Sequence, residues 1–209
     1  MNNMLYEINK INFSDIPHSL EGMGLHPERL QRIAAMKRKE SIAASLTGDW
    51  TARKLAAKLT ETGINDLLII DGRYGKPKLS GAEAEISIAH SGEYAAAAAA
   101  KLPVGIDIER IRPVLRPLVY RICSQEEQEW MRSVPEQFLT RFFRLWTMKE
   151  AYGKMLGIGI FSPQRFNSRF VKGELLELYP DCLFLFPPSP EGYAVSICLA
   201  RKEKRFSEN

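Results

Sequence analysis

Cysteine and histidine are scarce in this chain of 209 residues, with three of each, and the scarcity excludes several classes of protein. Cys123, Cys182 and Cys198 show no metal-ligand spacing and cannot all pair within one chain, which rules out a disulfide framework and a zinc ribbon. Long apolar runs are missing too. The longest, around Tyr94 to Ala100, is too short to span a bilayer. The stretch from Met1 to Glu7 has no basic segment followed by an apolar one, so no secretory signal is expected there. Nor does one sign of charge dominate, since a net charge of +4 is modest for a nucleic-acid binder. A cytoplasmic protein with neither membrane nor nucleic acid as partner is the expectation.

What is present is ordinary globular material: 45% hydrophobic and 26% charged residues suffice for a sizeable core. The positive residues cluster. Arg29, Arg32, Lys37, Arg38 and Lys39 form one group, and Arg110, Arg112, Arg116 and Arg121 another. Such groups suit phosphates or an acidic protein surface, and they also suit solvated helix faces.

Leu30, Ile33, Ala34, Ala44, Leu55 and Leu59 recur at helical spacing, predicting one or two helices from about Pro27 to Leu59, broken near Gly48. A strand follows from Leu67 to Ile70, then a turn through Gly72 and Gly75-Lys76-Pro77, then a strand from Ile86 to Ala89. The alanines of Tyr94 to Ala100 favour a helix by propensity. The next strand follows too closely for that, so a strand is expected there. Ser124 with Glu127 three residues on is a capping box for a helix from about Ser124 to Met131. A further helix from about Pro135 to Leu156 ends at Gly157, and strands are expected near Arg169 to Val171, Leu175 to Leu178, Leu183 to Phe186 and Tyr193 to Leu199. The element order predicts an α+β fold of two similar halves, residues 1–103 and 104–209, in a pseudo-two-fold arrangement. Each half is a small, mostly antiparallel sheet packed with a long helix.

Two stretches carry chemistry. Val104-Gly105-Ile106-Asp107-Ile108-Glu109 reads as a β-branched strand with both carboxylates on one face. They repel unless a cation lies between them. Ile106 and Ile108 on the other face imply one buried side. In Trp146-Thr147-Met148-Lys149-Glu150-Ala151-Tyr152-Gly153-Lys154, Glu150 and Lys154 stand one helical turn apart. Separately these are a solvated edge strand and an exposed ion pair. Together Asp107, Glu109 and Glu150 offer three hard oxygen ligands for a divalent cation, with an ammonium beside them.

Gly75-Lys76-Pro77, Ile88-Ala89-His90-Ser91, Gly105 to Glu109, and Trp146 to Ala151 with Lys154 and Gly157 resemble, in order, the motifs of the Sfp-type 4′-phosphopantetheinyl transferases. Lys37 to Glu40, Gly48-Asp49 and Arg53 are similar to that family's first helical region. The resemblance implies transfer of 4′-phosphopantetheine from coenzyme A to a serine of an apo carrier protein, with Mg²⁺ as cofactor and adenosine 3′,5′-bisphosphate released, at a site between the two halves. It implies that Asp107, Glu109 and Glu150 hold the metal, with Glu150 also a general base and Lys154 beside the departing phosphate. It places His90 and Ser91 against coenzyme A phosphates, Lys76 and Pro77 beside the adenine, and Arg29 and Arg32 on the 3′-phosphate. Two departures stand out: Ala44 replaces an arginine of that family, and Ser87 and Ala89 stand near where Phe-Asn precedes His-Ser.

The carrier is expected to dock on Arg112, Leu115, Arg116 and Leu118, in a stretch whose two prolines predict an exposed loop leading into a short helix. Leucines tucked into the core are the alternative there. Fused halves imply that a monomer completes its own site. A Mg²⁺-dependent nucleotide pyrophosphate hydrolase, or a non-catalytic protein holding coenzyme A or nucleic acid, would use parts of the same set.

Overall fold

The computed structural model describes residues 3–14, 25–72, 75–158, 168–171, 173–176 and 181–202. At its centre lies strand β5, Tyr94–Ala100, whose six alanines are all fully buried. Both faces of this strand are covered, which is why its side chains are so small. Ala97 and Ala99 meet Ala52, Leu55 and Ala56 of a long helix, while Ala96, Ala98 and Ala100 meet Val104, Ile106 and Ile108 of a second sheet. Methyl groups on both sides let three layers close to contact distance, overriding the helix propensity of alanine.

The first sheet is antiparallel with order β1-β5-β4. Its strands are β1 (Met4–Lys10), β5 and β4 (Glu85–Ser91). β1 pairs with β5 along its whole length, from Met4 opposite Ala100 to Lys10 opposite Tyr94. Reading the sequence assigns no element there, because most of its residues are half-buried on both faces and no clean alternation shows. Helix α1 (Pro27–Ala34) and helix α2 (Lys39–Thr60) precede the hairpin of β2 (Leu68–Asp71) and β3 (Pro77–Ser80). The expected break at Gly48 is absent, and the interruption falls between α1 and α2. Gly48 serves packing instead: a Cβ there would lie 2.5 Å from Ile88 Cγ2, so the missing side chain lets α2 sit on β4.

The second sheet has order β6-β10-β9, formed by β6 (Val104–Arg110), β10 (Tyr193–Ala200) and β9 (Cys182–Leu185). Helix α5 (Phe138–Leu156) covers it and ends at Gly157, φ 73°, as the sequence predicts. A Cβ on Gly105 would lie 1.8 Å from the Ala151 carbonyl oxygen, so strand and helix backbones touch there. β6 is consequently buried on both faces, against the alanine strand and against α5, rather than on one face alone. Helices α3 (Arg116–Ile122) and α4 (Gln125–Arg132) link β6 to α5, and α4 carries the expected Ser124–Glu127 capping box. Strands β7 (Arg169–Val171) and β8 (Glu174–Leu176) form a hairpin, while the end of the strand expected near Leu178 lies outside the described residues.

β4 and β6 run side by side without a backbone ladder between them. Serine hydroxyls join them: the Ile106 N–H donates to Ser87 Oγ at 3.0 Å and the Arg110 N–H to Ser91 Oγ at 3.1 Å. Among the described residues no helix is long and apolar enough to cross a membrane. The three cysteines are buried and form no disulfide.

Candidate active site

The contact of Gly105 with α5 sets the geometry of the acidic site, because it brings Asp107 under the next turns of the helix. Asp107 is 5% exposed and Glu150 6%. Lys154, one turn beyond Glu150, donates to Asp107 Oδ1 at 2.7 Å and to the Ile106 carbonyl at 3.1 Å. Asp107 Oδ2 is buried with no hydrogen-bond partner. Glu109 lies nearer the surface and accepts from Ser91 Oγ at 2.8 Å, across the seam between the sheets.

Asp107 and Glu150 are thus buried beside one ammonium, with Glu109 nearer the surface. Burial first, then Asp107 and Glu109, push Glu150 up to about 8, against the pull of Lys154. Burial likewise raises Asp107 to about 6, with Lys154 opposing and Glu109 adding to the rise. Among the described residues no three His, Cys, Asp or Glu side chains converge as a ready metal cluster. The donor set nevertheless fits Mg²⁺: the ligands are hard oxygens, their negative charge is incompletely balanced, and one buried oxygen is left without a partner.

Beside it, between α1, α2, the β2–β3 turn and β4, lies a hollow of about 190 Å³ lined by Arg29, Arg32, Ser45, Asp49, Pro77 and His90 among others. His90 is exposed, but the protein around its ring, and then Lys154, hold the imidazole below its ordinary value, with Glu109 pulling the other way. Arg29 is fixed from three directions. Its Nε donates to Asp49 Oδ2 at 2.5 Å, Nη2 to Asp49 Oδ1, and Nη1 to Asp71 Oδ1. Arg32 Nε bonds Asp71 Oδ2 at 2.9 Å. Of the pair expected on a phosphate, only Arg32 presents free nitrogens.

Other expected contacts are also engaged within the protein. Lys76 Nζ bonds Glu85 at 2.9 Å and the Met155 carbonyl at 3.3 Å, capping the end of α5, and Pro77 opens β3 at the rim of the hollow. Ala44 is buried with Ile11, Ala43 and Ala95 in the core, and the next residue, Ser45, reaches the hollow. Ser87 serves the seam and Ala89 the core. Towards the other end of the second half, Leu115 is 79% exposed between exposed Arg112 and Arg116, whereas Leu118 packs partly into the core. A larger cavity of about 590 Å³ opens there, lined by Val114, Arg116, Val119, Tyr120, Arg132 and Phe138.

Two features escape a reading of the sequence. Asp71 is the last residue of a strand and carries no local signal of its role, since its partner Arg29 is 42 positions away. Lys149, inside a quoted motif, is buried, and its ammonium donates to Glu127 at 2.6 Å and to the Ile122 carbonyl at 2.7 Å. The burial of Glu127 behind a capping box could not be seen from spacing alone.

Fold and site together define an α+β protein with buried Asp107 and Glu150 beside Lys154, Glu109 at the seam of two antiparallel sheets, and a hollow beside them. A sequence profile of the 4′-phosphopantetheinyl transferase superfamily matches residues 103–198. The chain is 26% identical over 187 residues to the 4′-phosphopantetheinyl transferase Sfp of Bacillus subtilis (strain 168), covering 86% of this chain and 84% of that one. It is 30% identical over 168 residues to the 4′-phosphopantetheinyl transferase gsp of Aneurinibacillus migulanus, covering 74% and 67%. Among solved structures, the holo-[acyl-carrier-protein] synthase of Thermotoga maritima aligns at TM-score 0.39 and 20% identity, over 50% of this chain and 64% of that one. The chain belongs to the 4′-phosphopantetheinyl transferase superfamily.

Proposed function

We propose that Asp107, Glu109 and Glu150 hold a Mg²⁺ ion while coenzyme A lies with its nucleotide end in the hollow beside Arg32, His90 and Pro77. The reaction is that of the family: phosphopantetheine passes from coenzyme A to a carrier protein. The observation that carries the site assignment is the crowding of buried carboxylates around one lysine, with an oxygen of Asp107 left without a partner. When bound, the cation would neutralise the pyrophosphate and polarise the phosphorus under attack.

In the transfer step the carrier serine oxygen forms a bond to the phosphorus bearing the pantetheine arm. The bond from that phosphorus to the bridging oxygen breaks, and adenosine 3′,5′-bisphosphate leaves with the electron pair. Glu150, beside Asp107 and Lys154, is the side chain placed in this reading to take the serine proton. Holding a cation and taking a proton pull its pKa in opposite directions, so the two roles compete. Lys154, held at the carboxylates by Asp107, supplies positive charge against the departing phosphate. Ser91 orients Glu109 from the other sheet, which fits an active site at the interface of two halves related by a pseudo-two-fold axis.

The carrier docks, in this reading, on the exposed side chains of Arg112, Leu115 and Arg116, with Leu118 partly beneath them. These would meet an acidic, partly apolar helix in charge and shape. A monomer working in the cytoplasm is consistent with cysteines that form no disulfide and with a site built from both halves of one chain. The test is Asp107→Ala: carrier modification should fall by about two orders of magnitude, the scale of one lost electrostatic element, with the fold retained. Near-normal modification by that variant would remove Asp107 from the metal site.

A further inference from the structure

We propose that Tyr193, 100 positions from the turn it holds, is a positioning residue for the metal site: its hydroxyl fixes the β4–β5 turn so that Ser91 keeps the Glu109 carboxylate in place for the cation. This rests on the reading that Glu109 is one of the metal ligands.

The two sheets meet at a corner of four residues. Tyr193 stands opposite Arg110 in the second sheet, and Ser91 stands opposite Tyr94 in the first. Two cross-links close the corner. The rings of Tyr94 and Tyr193 meet edge to face with centroids 5.0 Å apart, and the Arg110 N–H donates to Ser91 Oγ at 3.1 Å. Ser91 Oγ in turn donates to Glu109 Oε2 at 2.8 Å.

The turn that carries Ser91 is pinned at Glu93. Tyr193 Oη accepts the Glu93 N–H at 3.1 Å, and the Glu93 carbonyl accepts the Ile11 N–H at 2.8 Å just beyond the end of β1. Gly92 shows how closely the hydroxyl approaches, since a Cβ there would lie 2.4 Å from Tyr193 Oη. The phenol is itself firmly placed. Its ring is buried in the core with Ile108 and Val195, and the Ile111 N–H holds the neighbouring Gly192 carbonyl at 2.8 Å. A rigid ring with a polar tip thus reaches from the second sheet to fix backbone of the first.

Ser91 needs that precision. Its oxygen accepts from one group while its proton goes to another, and such bonds hold only within a window of about 2.7–3.2 Å. A turn displaced by a few tenths of an ångström breaks one or both. Glu109 is half-buried and long, so without Ser91 its rotamers must be ordered when the cation binds. Loss of the Tyr193 hydroxyl should therefore appear as weaker metal binding, by about three- to tenfold, the worth of one hydrogen bond.

The test is Tyr193→Phe, which keeps the ring and removes the oxygen. The Mg²⁺ concentration for half-maximal carrier modification should rise about three- to tenfold, with KM for the apo carrier unchanged. Mn²⁺ binding to the protein with coenzyme A, followed by electron paramagnetic resonance of the free ion, should show the same loss without turnover. Because Tyr193 acts through Ser91, adding Tyr193→Phe to Ser91→Ala should weaken Mn²⁺ binding no further.

Wild-type Mn²⁺ affinity in Tyr193→Phe overturns the proposal, even if the melting temperature falls, because the hydroxyl is then structural alone. An equal loss with and without Ser91→Ala overturns it as well. Failure of the underlying reading looks different: Glu109→Gln also binds Mn²⁺ as wild type does, and the proposal falls with its premise.

Discussion

Glu150 is the residue on which chemistry and stability meet. Its carboxyl is raised in the folded protein to about 8, whereas an unfolded chain carries a glutamate of about 4.3. Between those values the folded state binds more protons than the unfolded state, so stability is fully present at low pH and is lost as pH rises toward about 8. Asp107, raised to about 6, adds the same sign over a narrower window. In metal-free protein the melting midpoint should therefore fall between about pH 5 and pH 8.5, and Glu150→Gln should flatten much of that fall while costing catalysis. Mg²⁺ should raise the wild-type midpoint most at the alkaline end. A pH slope unchanged by Glu150→Gln would show that its carboxyl is not held protonated by its surroundings. The three carboxylates and Lys154 were legible in the sequence because each sits at a fixed spacing in a regular element. The engagement of Arg29 was not, because its partners come from α2 and β2, and no local pattern announces an ion pair between distant positions.

Among the elements, α5 depends most on a contact outside the catalytic set. The Lys149 ammonium, adjacent to Glu150, is held by Glu127 and the end of α3, and Glu127 also accepts from the backbone N–H groups of Ser124 and Ser168. One buried pair thus clips α3, α4 and the approach to β7 onto the helix that carries Glu150. Lys149→Met should destabilise the protein by about 3–5 kcal/mol, since it leaves a buried carboxylate unpaired, and adding Glu127→Gln should recover part of the loss. Chemical denaturation of the single and double variants measures this directly, and a single variant as stable as wild type would contradict it. The sequence identified α4 and α5 through their caps, and it identified β5 as a strand through the shortness of the link to β6. It misplaced the helix break at Gly48 because glycine signals a break and a close packing contact by the same missing side chain.

At the scale of the whole molecule, two regions stand apart: the seam between the sheets, where Ser91 bonds Glu109, and the α3 end, which presents arginines and an exposed leucine. Arg112→Glu and Arg116→Glu should each raise KM for an apo carrier severalfold and weaken its salt dependence, leaving KM for coenzyme A nearly unchanged. Steady-state kinetics at two ionic strengths separates these effects, and unaltered carrier kinetics in both variants would move docking elsewhere. An α+β fold of antiparallel sheets and helices was visible from element order, yet β1 and the serine-bridged seam were not, since β1 lacks a periodic signal and hydroxyl bridges leave no trace in spacing. The most direct test of the central claim is the mass of an apo carrier after incubation with coenzyme A, Mg²⁺ and either wild type or Glu150→Gln. The account predicts a gain of one phosphopantetheine with wild type and about a hundredfold slower gain with the variant. No gain with wild type on any carrier, or an equal gain with both proteins, would contradict it.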